Sequence, residues 1–208
     1  MDISTLKFDE NGLIPGIVQD LYGEVRMMAW LNHEALELTL KNGYATFWSR
    51  SRKALWTKGE TSGNRLKVVQ IRPDCDQDTL LILAEPEGPS CHNGTTSCFD
   101  SEEPWPTTLP WLGRLETLLK DRKAHADAEG SYTQKLFAKG VDRIGKKVVE
   151  EAGEVVIAAK NDDREEFLGE AADLIFHLDL LLLNYGASLN EAIEVLHKRH
   201  AKATGGPA

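Results

Sequence analysis

The stretch DSEEPWPTTLP, residues 100–110, carries three prolines and three acids in eleven positions and leaves no continuous apolar periodicity, so it reads as a linker. The pattern differs on its two sides. Upstream, GIVQDLYGEVRMMAWL (16–31) reads as two strands around a Tyr22-Gly23 turn, and ATFWS (45–49), LKVVQIR (66–72) and TLLILAE (79–85) carry further strand signals. One helix is expected over 33–42, with Asn32 as its N-cap and Gly43 just past its end. Downstream, apolar residues recur at helical spacing through 109–124, 131–140, 141–160, 163–186 and 189–201. Asp162 with Glu165 and Ser188 with Glu191 have capping-box spacing, and the terminal ATGGPA is expected to fray. The chain therefore reads as two domains with a boundary near residue 105: an α+β, mostly β domain over 1–104 and an all-α helical bundle over 105–208.

At 208 residues the chain is long enough to bury real cores, and its apolar and charged fractions are those of an ordinary globular protein. Lys and Arg total 24 against 33 Asp and Glu, and the net charge of -9 argues against a bulk nucleic-acid binder. The first fifteen residues lack a basic region followed by an apolar one. The longest apolar run, LDLLLL (178–183), is interrupted by Asp179 and is far too short to span a membrane. The expected location is cytoplasmic. All three cysteines fall within residues 75–98, and an odd number without an export signal points to metal binding or catalysis rather than to disulfides.

Around the first of them, RPDCDQDTL (72–80) offers two kinds of metal ligand. If extended, alternation puts Asp74, Asp76 and Asp78 on one side and Cys75 on the other. Three crowded carboxylates repel one another unless a hard cation such as Mg²⁺ neutralises them, whereas a thiolate suits Zn²⁺. A solvated acidic turn is the plainer reading. An EF-hand loop also has acids at these spacings, but Thr79 stands where its glycine belongs and a strand follows. In SCHNGTTSCF (90–99), Asn93-Gly94 is a turn signal that brings Cys91 and Cys98 together. Three thiols with no fourth cysteine match a catalytic zinc site with one open position. His92 is the alternative fourth ligand of a closed site, but its adjacency to Cys91 makes it hard to aim at the same metal, so it is assigned to proton transfer.

Charge is segregated. Residues 41–72 hold Lys41, Arg50, Arg52, Lys53, Lys58, Arg65, Lys67 and Arg72 against Glu60 alone, while residues 73–108 hold eight acids and no Lys or Arg. Tyr44, Phe47, Trp48 and Trp56 lie in the basic block, as does KGETSGN (58–64). In that turn Lys58, Thr61, Ser62, Gly63 and Asn64 can present donors to a phosphate. Arg50 and Arg52 share a side if extended, so one can bind phosphate while the other braces it. The plainer reading is a basic strand face with core aromatics. A phosphorylated ligand bearing an aromatic ring fits the inventory beside a metal cluster.

FWSRSRKALWTKGETSGN, DCDQD and CHNGTTSCF together resemble phosphoribosyl-AMP cyclohydrolase of histidine biosynthesis, over roughly residues 10–100. The resemblance implies that Cys75, Cys91 and Cys98 hold Zn²⁺, that Asp74, Asp76 and Asp78 hold Mg²⁺, and that water opens the adenine ring of phosphoribosyl-AMP between N1 and C6. Zinc-activated water is a suitable nucleophile for such a carbon. Reach argues further for a homodimer. After Cys75 the strand TLLILAE runs away for about 20 Å, and the five residues PEGPS can turn the chain but hardly retrace it. Cys75 of one chain is then expected to join Cys91 and Cys98 of a second, as the resemblance also implies.

In the second half, Glu151 and Glu154 of EEAGE lie about 60° apart on one helix face, and Glu170 and Asp173 of EAAD do the same on the next. Antiparallel helices joined by NDDREEF can align those faces, and four converging carboxylates call for a cation, with Mg²⁺ bridging to polyphosphate the natural one. Glu-rich faces are often merely solvated. Here, however, Glu170 and Asp173 sit in LGEAADLIFHLDLLLL, a helix expected to be buried nearly all round. His177 lies between them in angle and is read as a packed or supporting histidine, since Mg²⁺ prefers oxygen.

SYTQKL, KKVVEEAGEVVIAAK and EAADLIFHL resemble the phosphoribosyl-ATP pyrophosphohydrolase branch of the all-α nucleoside triphosphate pyrophosphohydrolases, over roughly residues 109–202. The resemblance implies Mg²⁺ binding by Glu151, Glu154, Glu170 and Asp173, with Glu150 supporting or activating water and Lys147 and Lys160 holding phosphates. Val149 stands where that family often has Gly. The expected chain is thus a bifunctional enzyme of two consecutive steps, its domains in reverse order of reaction. Two alternatives are a cyclohydrolase fused to a general nucleoside triphosphate pyrophosphohydrolase, and a non-catalytic zinc-stabilised binding module with a helical dimerisation domain.

Overall fold

The computed structural model describes residues 2–100, 109–125 and 131–204, and the chain divides into two compact units, Met1–Trp111 and Leu112–Ala208. The expected boundary between 104 and 105 falls outside the described residues, as do most of the linker and the last four residues of ATGGPA.

The first unit is strand-rich. β1 (Ile14–Gln19) and β2 (Val25–Leu31) form an antiparallel hairpin around Gly23, as expected, and α1 (His33–Asn42) follows. Asn32 caps α1 by accepting the Ala35 N–H at 2.8 Å. The helix ends at Gly43 in the left-handed region. β3 (Thr46–Ser49) pairs antiparallel with β4 (Ala54–Thr57), which the sequence pattern does not announce. β5 (Leu66–Pro73) and β6 (Leu80–Pro86) complete a four-stranded sheet in the order β2-β1-β6-β5, in which β1 and β6 run parallel. Alternation works as two-residue periodicity requires: Ile14, Gly16 and Val18 are buried, with half-buried Pro15, Ile17 and Gln19 between them. Thirteen described residues, among them Leu31, Leu36, Phe47, Leu66, Leu80 and Ile82, form one core.

The second unit is helical: α2 (Trp111–Ala124), α3 (Tyr132–Lys160), α4 (Arg164–Tyr185) and α5 (Leu189–Thr204). The chain breaks within α3 at Gly140 (φ 69, ψ -164), between the two segments read separately in sequence, and glycine adopts this conformation without a Cβ penalty. Ser131 and Gln134 form a complete capping box. Ser188 and Glu191 exchange the bonds their spacing predicts. Asp162 does not cap α4: it takes φ 55 where α3 is left behind, and the extended Asp163 accepts the Glu165 and Glu166 N–H groups instead. The core holds Leu119, Leu136, Ile144, Leu180 and Leu183. α4 is not buried all round in the single chain, because Leu168, Ile175 and Leu178 stay exposed. No described helix is long and apolar enough to cross a membrane.

Candidate active sites

In the strand-rich unit the tight β5–β6 connection gathers carboxylates. Asp74, Asp76 and Asp78 have oxygens within 4.8 Å of one another, and all three are exposed. Strand alternation is not the cause, because residues 74–79 are a loop with Gln77 at φ 67. Asp74 Oδ1 accepts the Asp78 and Thr79 N–H groups, both at 3.1 Å, and this wraps the loop around it. Partial desolvation pushes the Asp74 carboxyl up, but the Thr79 and Asp78 amides outweigh it and hold the group below its usual range. Cys75 is exposed on the same loop.

Cys91 and Cys98 lie beyond the other end of β6, on a loop closed by Ser90 N–H to Thr96 O (3.2 Å) and Cys91 N–H to Thr95 O (3.1 Å). Gly94 N–H donates to Cys91 O at 3.1 Å, so the Asn93-Gly94 turn forms as expected. The two thiols interact directly. The Asn93 amide, then the Thr95 hydroxyl, lowers the Cys91 pKa, while desolvation and then Cys91 itself raise that of Cys98. Lys58 also acts on Cys98 electrostatically and lowers its pKa, so the charge of the 58–64 turn is felt at the thiol pair. His92 is exposed, with Nδ1 3.8 Å from Cys91 Sγ. Cys75 is not part of this group: among the described residues, no three-ligand cluster joins it to Cys91 and Cys98.

The basic residues divide. Lys58 Nζ donates to Asn64 O at 3.3 Å within its own turn, where Thr61, Ser62 and Gly63 are exposed and Asn64 half-buried. Arg50 and Arg52 do not share a strand face, because residues 50–53 form the β3–β4 turn. The Arg50 guanidinium lies 5.0 Å over the Trp30 ring, and Arg52 Nε donates to Ser49 Oγ at 3.3 Å.

In the helical unit α3 and α4 bring Glu151, Glu154 and Glu170 together, their oxygens within 4.8 Å of one another. Asp173 stays outside this group and is exposed, although its charge acts on Glu170. Lys147 Nζ lies 2.7 Å from Glu151 and 3.0 Å from Glu150, and Glu151 is almost fully buried. That lysine holds the Glu151 carboxyl down, whereas a hydrogen bond with Glu151 and desolvation push Glu154 up. Desolvation, then Glu151, also raises Glu170. The member that Lys147 pairs is thus stabilised as an anion and the other two resist ionising, as crowded carboxylates do. Lys160 stands exposed in the last turn of α3, about 9 Å along the axis from Glu154.

His177 is buried beside this cluster, as its sequence position suggests. Its Nδ1 meets Asp173 O at 2.9 Å and Glu151 Oε1 at 3.5 Å, and its Nε2 meets the Tyr132 hydroxyl at 3.2 Å. A carbonyl can only accept, so the Nδ1 carries a proton. Tyr132 belongs to a sequence motif that gives it no role, and only the fold reveals the pairing across 45 residues. Arg26 escapes sequence reasoning altogether. Its signal is a charged residue within an otherwise apolar strand, two positions after Glu24 and six after Asp20.

Each unit matches a known family of hydrolases: phosphoribosyl-AMP cyclohydrolase over residues 27–100 and phosphoribosyl-ATP pyrophosphohydrolase over residues 112–200. Relatives described as histidine biosynthesis bifunctional protein HisIE carry both. One from Caldanaerobacter subterraneus subsp. tengcongensis is 50% identical over 205 residues, covering 97% of this chain and all of the relative. Those from Bacillus subtilis (51%, 95% of this chain and 96% of the relative) and Escherichia coli (53%, 91% and 92%) are similar throughout. The chain belongs to this bifunctional histidine-biosynthesis family.

Proposed function

We propose that the helical unit hydrolyses phosphoribosyl-ATP to phosphoribosyl-AMP and pyrophosphate, and that the strand-rich unit then opens the adenine ring of phosphoribosyl-AMP between N1 and C6. What supports this reading is that each unit holds candidate ligand groups inside the residues matched by the corresponding family: three glutamates in the helical unit, and three aspartates and a cysteine pair in the strand-rich one. A helical domain of general triphosphate specificity predicts comparable turnover of dUTP or dCTP, whereas a dedicated biosynthetic domain predicts that phosphoribosyl-ATP is strongly preferred. Pyrophosphate release and the ultraviolet change of ring opening, followed together, test both steps.

The donor sets fit different metals. Oxygen-only clusters at Asp74, Asp76 and Asp78 and at Glu151, Glu154 and Glu170 suit Mg²⁺, with Asp173 next to the second; the thiols of Cys75, Cys91 and Cys98 suit Zn²⁺. Bound zinc supplies Lewis-acid activation of water, and magnesium supplies charge neutralisation at phosphate oxygens. The chain's own groups do the remainder. Lys58, Arg50, Arg52 and the donors of Thr61, Ser62 and Asn64 hold the phosphates of phosphoribosyl-AMP, while the expected Gly63 donor is already bonded to Gly59 O at 2.9 Å and Gly63 serves the turn instead. His92 moves a proton at the reacting ring. In the helical unit Lys147, paired with Glu150 and Glu151, holds phosphate together with Lys160; His177 Nδ1 stands 3.5 Å from the same Glu151 oxygen that Lys147 contacts, and Glu150 orients water.

The working form is a homodimer that shares its zinc ligands. β6 separates the Cys75 loop from the Cys91–Cys98 loop by about 20 Å of strand, which supports supply of Cys75 by a second copy. Mixing inactive Cys75→Ser and Cys91→Ser proteins under subunit exchange should restore part of the ring-opening activity, since one site of each heterodimer regains three thiols. Heterodimers that form and stay inactive contradict the shared site.

A further inference from the structure

Arg26 on β2 is only 7% exposed, although it carries a charge. Burying a guanidinium is costly unless its donors are satisfied, and here the β1–β2 hairpin supplies two acids. Arg26 Nη1 lies 3.3 Å from Asp20 Oδ2 and 3.1 Å from Glu24 Oε2. Asp20 is itself fixed by the Tyr22 and Glu24 N–H groups, each 2.9 Å from Oδ1. With Nη1 held in this way, the rigid guanidinium fork aims Nε at Ser90 Oγ, 3.2 Å away.

Ser90 is 2% exposed and immediately precedes Cys91. The other limb of the cysteine loop is tied to the same place on β2. Cys98 N–H donates to Arg26 O at 2.8 Å, and Ser97 Oγ donates to Val25 O at 2.7 Å. One residue thus grips both limbs, by its side chain before Cys91 and by its carbonyl at Cys98. A leucine or methionine fills such a volume without desolvating a charge, but it makes no bond to the loop.

We propose that Arg26 is a positioning residue of the cyclohydrolase site, which fixes the spacing of the Cys91 and Cys98 thiols through its bond to Ser90. This rests on the reading of both cysteines as zinc ligands. Ser90→Ala removes the bond and leaves the buried Arg26–Asp20–Glu24 group intact; Arg26→Lys keeps a charge for the acids but loses the fork. The test compares alkylation rates of the three thiols in metal-stripped protein, with Cys75 as internal reference, and then zinc affinity by competition with a chelator. Both variants should react faster at Cys91 and Cys98 with Cys75 unchanged, and should bind zinc about tenfold more weakly. Ring opening should lose kcat about tenfold at an unchanged KM for phosphoribosyl-AMP, while pyrophosphate release keeps its parent rate. Thiol rates and zinc affinity equal to the parent's in both variants overturn the proposal. Zinc binding that survives Cys91→Ser overturns the ligand assignment instead, and the apoprotein thiol rates still decide whether Arg26 holds the loop.

Discussion

Asp179 is 1% exposed on α4, and its Oδ1 has no hydrogen-bond partner among the described residues. Burial, then the neighbouring Glu116 carboxylate, pushes its pKa up to about 6, with Lys120 acting weakly in the opposite direction. The folded-state value lies above the ordinary 3.8, so the native state holds the proton more tightly than the unfolded chain does. The associated stability is complete below about 3.8 and is lost as pH rises through about 6. Full ionisation then costs the helical unit roughly 2–3 kcal/mol. Asp179→Asn mimics the protonated form and should raise the melting midpoint of that unit by several degrees at pH 8, with the gain shrinking toward pH 4. A gain of equal size at both pH values would show that ionisation is not its source. Arg26, a buried charge of the other unit, differs because its hairpin provides partners within six residues.

Among the elements, regular ones were legible and irregular ones were not. β1, β2, β5, β6 and α1 follow from alternation, one turn and one cap, because local sequence dictates them. β4 escaped because its four residues follow a charged turn and are too few, with their three apolar residues consecutive, to show alternation. The three aspartates converge as expected, but around a wrapped loop whose amides bond Asp74, a geometry that spacing cannot announce. Helical angle alone groups Asp173 with Glu170, yet its carboxylate stays outside the cluster that α3 and α4 bring together. Loop geometry also ranks two glycines of the 58–64 turn. A Cβ at Gly59 would stand 2.3 Å from the Asn64 carbonyl, whereas one at Gly63 meets nothing within 4 Å, and both have positive φ. Gly63→Ala should therefore cost only the left-handed penalty of about 1–2 kcal/mol. Gly59→Ala should cost clearly more and raise KM for phosphoribosyl-AMP, because the Asn64 backbone has to move. Equal losses of thermal stability in the two variants would contradict this.

At the scale of the whole molecule, the two units differ in how far a single chain completes them. Thirteen described residues form the strand-rich core, against five in the helical one, where Val149, Val156, Ile157 and Leu196 are all more than half exposed. Such a surface supports the homodimer reading for the helical unit, as the divided cysteines do for the other. Linear motifs made the two activities legible, since every proposed ligand lies within a short segment. Whether a second copy completes a site depends on tertiary reach, on which the sequence bears only through the length of one strand. On the proposed reading, each unit houses a separate active site for one of two consecutive hydrolyses. The most direct measurement gives phosphoribosyl-ATP to the Cys91→Ser and Glu170→Gln proteins and follows pyrophosphate and ring opening together, with phosphoribosyl-AMP supplied in a second arm. Cys91→Ser should release pyrophosphate at the parent rate and accumulate phosphoribosyl-AMP, while Glu170→Gln should release almost none yet open the ring of added phosphoribosyl-AMP. Loss of both activities in either folded variant would contradict the account.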